Sequence, residues 1–104
     1  MVKTLDIVKK IITEQSTVDF ASQWLIKNYC GFEQYETMDG ILEFSDSEDF
    51  IFWYSPNSNN LKFEAMKITR SLVGLFNLSR NEIRDVVTIW VEECYDINSP
   101  NVLL

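Results

Sequence analysis

The chain has 104 residues, 46% of them hydrophobic and 24% charged, which suits one globular domain with a modest core and excludes a disordered polar chain. Its net charge of −7 runs against a free nucleic-acid binder, whose affinity comes from neutralising phosphates, and against docking on anionic lipid. It has no histidine and only two cysteines, too far apart in sequence for a CxxC pair, so the parts for Ser-His-Asp or Cys-His nucleophile activation and for a closed zinc site are missing.

At the N-terminus Asp6, Lys9 and Lys10 interrupt any apolar signal region, so no leader peptide is expected. The longest apolar run, Phe50 to Tyr54, is far short of a membrane span. A cytoplasmic protein with no membrane association is the expectation. Cys30 and Cys94 then read as reduced thiols, although a bridge between them stays open because both fall near expected helix ends.

A first helix is expected over 4–14, with Leu5, Val8, Ile11 and Ile12 in one stripe and Thr4 as its N-cap. A second should begin near Ser16 or Thr17, where Ser16 and Asp19 approximate a capping box. Its expected buried stripe is Phe20, Ala21, Trp24, Leu25 and Tyr29, and Gly31 stands where a helix-ending glycine would be.

The period then changes. Residues 41–45 read as a strand, Asp46-Ser47-Glu48-Asp49 as a polar turn and 50–54 as an aromatic strand. A loop of turn formers at 56–60 precedes an alternating strand over 61–65. The aromatic strand is apolar on both faces and belongs in the middle.

Helices follow over 66–76 and from Arg80 to Tyr95. The second starts on a full capping box, Ser79 with Glu82, and Leu78 stands ready to staple onto Ile83. Asn98-Ser99-Pro100-Asn101 reads as the end of regular structure, with 98–104 a flexible tail. The expected fold is α+β: one domain over 1–97, built as a three-stranded antiparallel meander with two N-terminal and two C-terminal helices, in the order α-α-β-β-β-α-α.

No constellation for catalysis stands out. The three glycines are isolated, so no phosphate-cradling loop exists, and the 46–49 turn lacks the glycine and spaced ligands of a calcium loop. No catalytic residue, cofactor or metal is assigned. The two C-terminal helices allow a helix-turn-helix reading with Arg80 and Arg84 at the start of the second, but any αα corner with a good cap looks the same. The apolar width of that helix, Ile83, Val86, Val87, Ile89, Trp90 and Val91, allows a homo-oligomer or assembly reading.

The strongest signal is charge asymmetry. Between Lys27 and Lys62 there is no basic residue, while Glu33, Glu36, Asp39, Glu43, Asp46, Glu48 and Asp49 all fall there, interleaved with Phe32, Tyr35, Phe44 and Trp53. A solvated face would show the same run. An acidic surface with aromatic anchors is also what engages a basic groove: Coulomb steering speeds encounter, and a buried ring prolongs residence. The expectation is a non-enzymatic protein-binding module. It would recognise a basic protein surface through these seven carboxylates and Trp53, as an inhibitor or modulator of a nucleic-acid-acting protein. Ten isoleucines and eight asparagines also fit an AT-rich gene, an association that would suit a phage or mobile element.

Overall fold

The computed structural model describes residues 17–30, 33–45 and 51–104, with the backbone alone for Glu33. The expected helix over 4–14, the Ser16 cap, Gly31 and the 46–49 turn lie outside the described residues. The chain folds as α+β, with three helices and a five-stranded mixed sheet among the described residues.

Helix α1 covers 17–28. Ala21 and Leu25 are fully buried, with Val18, Trp24, Ile26 and Tyr29 packed beside them. Ser22 is buried as well, its hydroxyl satisfied by donating to the Val18 carbonyl at 2.7 Å. Phe20 was expected in this stripe but is 66% exposed. At 100° per residue it falls on the flank opposite Ser22, and the small serine takes the inward place.

Strand β1 (Glu33–Glu36) pairs antiparallel with β2 (Leu42–Ser45), β2 with β3 (Ile51–Ser55), and β3 with β4 (Asn60–Glu64). The β1–β2 turn closes through Thr37 N donating to the Ile41 carbonyl at 2.8 Å, and Gly40 supplies the φ of +74° the turn requires. Between β3 and β4, Asn59 adopts a φ of 53°. The aromatic strand is central, as its two apolar faces predicted.

Two strands correct the expected three-stranded meander. β1 reads Glu-Gln-Tyr-Glu, with no hydrophobic alternation; it is an edge strand, where charge discourages pairing with other chains. β5 (Asn101–Leu103) lies where a loose tail was expected and pairs parallel with β4, Leu61 opposite Val102. Val102 is 3% exposed, and that burial draws the segment onto the sheet. Asn101 N donates to the Asn59 carbonyl at 2.8 Å and Asn101 Nδ2 to Asn60 Oδ1 at 3.1 Å.

Helix α2 (Met66–Phe76) starts at Ala65 without a side-chain cap and stops at Asn77, which takes a left-handed φ of 52°. Helix α3 (Arg80–Tyr95) begins on the expected capping box: Ser79 Oγ accepts from Glu82 N at 3.3 Å, and Glu82 Oε1 accepts from Ser79 N at 3.0 Å. The bond that the Ser79 backbone N–H donates to the Glu82 carboxyl, and after it the Ser79 side chain, hold that carboxyl below its ordinary pKa.

The helices cover one face of the sheet. Phe44 and Phe52 stack there with centroids 4.4 Å apart, and Tyr95 meets both edge-on. Trp90, fully buried, meets Phe52 edge-on at 5.4 Å and donates its Nε1 hydrogen to the Tyr29 carbonyl at 2.9 Å, tying α3 to the end of α1. Such ring pairs add about 0.5–1.5 kcal/mol each beyond the area they bury. Among the described residues every buried side-chain nitrogen or oxygen has a hydrogen-bond partner.

Candidate functional site

Cross-strand partners point to the same side of a sheet. Phe44, Phe52 and Phe63 are in register and buried under the helices, so their neighbours along each strand face the other way. On that opposite face the registers align Tyr35, Glu43, Trp53, Lys62 and Leu103, one residue from each of the five strands.

Among the described residues no helix covers that face, and an uncovered sheet face is normally polar. Here three of the five residues in the row are large and apolar or aromatic. Tyr35 is 51% exposed, Leu103 is 47% exposed and Trp53 is half-buried. Trp53 Nε1 donates to Glu43 Oε1 at 2.7 Å, and Lys62 Nζ lies 5.8 Å from the Trp53 ring centroid. Lys62 Nζ also sits 3.2 Å from Glu64 Oε1. A shallow hollow of about 510 Å³ runs along this side, lined by Asp39, Ile41, Trp53, Lys62 and Leu103 among others. The arrangement offers flat apolar contact, one polar indole tip already satisfied, and carboxylates that outnumber ammonium groups.

The residues singled out in the sequence divide into three sets. Asp39, Glu43 and Trp53 come together on or beside the open face. Glu36 is exposed but in register with Leu42, on the other side of the edge strand, and Glu33 opens β1 opposite Ser45. Asp46, Glu48 and Asp49 lie outside the described residues. The run without basic residues is therefore not a face without them: β4 brings Lys62 beside Trp53, from beyond the acidic segment. Sequence reasoning missed Lys62, Glu64 and Leu103, although the alternation Leu61-Lys62-Phe63-Glu64 already put Lys62 and Glu64 on one side.

No protein-family model matches the chain, and no curated protein and no solved structure matches it.

A second hollow, of about 780 Å³, lies between α2, the start of α3 and the end of the chain as described, where Met66, Val73 and Leu104 meet Arg70 and Arg80. The Arg80 guanidinium is engaged there, donating to the Leu104 carbonyl. On α3, Ile83, Val86, Val87, Trp90 and Val91 are buried within the chain and serve its own core, while Ile89 is half-buried outside it. Among the described residues no three His, Cys, Asp or Glu side chains gather as they would around a metal ion, and no described helix is long and apolar enough to cross a membrane.

Proposed function

We propose that this chain is a non-catalytic protein-binding module whose open sheet face and acidic edge engage a basic protein surface. The observation that carries the reading is the row Tyr35–Glu43–Trp53–Lys62–Leu103, which keeps aromatic and aliphatic surface at the solvent side of a sheet whose other side holds the core. Aromatic residues anchor interfaces because they bury large area at small entropy cost, and surrounding carboxylates select a partner of opposite charge. A basic protein that otherwise holds nucleic acid fits this chemistry, since carboxylates can stand where phosphates lie. That makes an inhibitor or modulator the specific form of the reading.

Two other readings have less support. The assembly reading rested on the breadth of the α3 apolar face, of which all but Ile89 is buried in the chain's own core. The helix-turn-helix reading has Arg80, Asn81 and Arg84 exposed at the start of α3, against a net charge of −7.

The reading is tested by affinity capture at low and moderate salt, comparing the wild-type chain with one carrying Glu33→Gln, Glu36→Gln, Asp39→Asn and Glu43→Gln. A basic partner held by wild type, released by salt and lost from the neutralised chain supports it. Equal capture by both chains places the interface elsewhere.

A further inference from the structure

Cys30 lies just past the end of α1 and Cys94 in the last turn of α3; both are free thiols, and Cys94 is near enough to Cys30 to be perturbed by it. The core, rather than two mobile side chains, brings them together. Tyr29 N donates to the Leu25 carbonyl at 2.9 Å, which holds the last turn of α1, and the Tyr29 carbonyl accepts from Trp90 Nε1 at 2.9 Å. Trp90 and Cys94 are four residues apart on one helix and share a face. The residue preceding Cys30 is thus bonded to the residue one turn before Cys94.

The two sulfurs differ in access. Cys30 is exposed and Cys94 half-buried. Burial pushes the Cys94 thiol up to about 12, helped by its hydrogen bond with Cys30, by the charge of Cys30 and by that of Glu93.

We propose that Cys30 and Cys94 form a reversible intramolecular disulfide that clamps the end of α1 to the end of α3 when a low-molecular-weight disulfide such as oxidised glutathione is present. The Cys30 thiolate attacks one sulfur of the oxidant. The oxidant's S–S bond breaks, one glutathione leaves as thiolate, and a mixed disulfide remains on Cys30. Cys94 then gives its proton to solvent and its sulfur attacks the Cys30 sulfur, expelling the second glutathione, which takes up a proton. The protein loses two protons and two electrons, and oxidised glutathione takes them up to become two reduced molecules. The thiolate is the attacking species, and burial holds Cys94 protonated, which slows closure and lets the mixed disulfide be trapped.

The clamp sits three residues before β1, the acidic edge strand, and closes a long loop, so it also stabilises the fold by restricting the unfolded chain. The inference stands on the thiol pair alone and is independent of the partner reading.

The test treats dilute full-length protein with oxidised glutathione, quenches with acid at intervals and maps peptides without reduction. The expected sequence is a glutathione adduct on Cys30, then a Cys30–Cys94 linked peptide pair in a monomer about 2 Da lighter than the reduced chain. Tm rises on the order of 10 °C and returns on adding dithiothreitol. Cys94→Ser stops at the adduct, and Cys30→Ser takes up glutathione far more slowly. A wild-type chain that stops at the adduct, or that only joins Cys30 to Cys30 of a second chain, overturns the proposal.

Discussion

Trp53 and Glu43 face each other across β2 and β3 on the open side of the sheet, the indole Nε1 donating to a carboxylate oxygen at 2.7 Å. The bond anchors the indole tip, and Lys62 Nζ lies over the ring, 5.8 Å from its centroid. A hydrogen bond to a charged acceptor on a half-buried pair is worth about 1 kcal/mol. A double-mutant cycle of Glu43→Ala with Trp53→Phe, read by urea unfolding, should give a coupling near that value. Strictly additive effects would show that the pair is not coupled in solution.

Trp90 joins the sheet, through Phe52, to the end of α1, through the Tyr29 carbonyl, and packs on Tyr95 of its own helix. Trp90→Ala should cost about 3–5 kcal/mol and leave a chain close to unfolding. Trp90→Phe keeps most of the packing but removes the indole donor, and should cost about 2 kcal/mol. A Phe variant as stable as wild type would mean that the tie between α1 and α3 contributes nothing.

The last strand separates two neighbours. Val102 is buried against Leu61, while Leu103 is half-exposed on the open face. Val102→Ala should lower stability by about 2 kcal/mol, and Leu103→Ala by well under 1 kcal/mol. Two small and equal effects in denaturant melts would return 98–104 to a loose tail.

The capping box predicts a pH dependence. Glu82 has its carboxyl held below the ordinary value of 4.5 by Ser79, so its folded pKa lies under its unfolded one. The stability it contributes is complete above pH 4.5 and is lost as pH falls through the lowered folded value. The stability difference between wild type and Glu82→Gln should therefore shrink as pH drops below 4.5; a difference that grows there would reverse the sign. Ser79→Ala should cost about 1 kcal/mol at neutral pH.

Much of this fold was legible in the sequence because its signals are local. The Ser79–Glu82 box, the double-faced aromatic strand and the Leu61–Glu64 alternation each declare an element within a few residues. The two edge strands were not legible for the opposite reason. Glu33–Glu36 pairs only because β2 offers a free edge, and Asn101–Leu103 only because Leu61 and its neighbours need covering. Both depend on partners distant in sequence, and Asn98-Ser99-Pro100, running into Asn101 at the start of β5, carries every local mark of an end to regular structure. The site was half legible. Asp39, Glu43 and Trp53 meet as a contiguous acidic-aromatic stretch would suggest, but Lys62 and Leu103 reach the same row only through strand register.

The account rests on the open face meeting a basic partner. The most direct measurement is capture by wild type, by Tyr35→Ala with Leu103→Ala, and by Val73→Ser as a control on the exposed side of α2, each at low and moderate salt. All three side chains are about half exposed, so each chain should fold normally. The account predicts one basic partner retained by wild type and the control, lost from the open-face variant, and released as salt rises. Retention by the open-face variant, or loss from the α2 control instead, would contradict it.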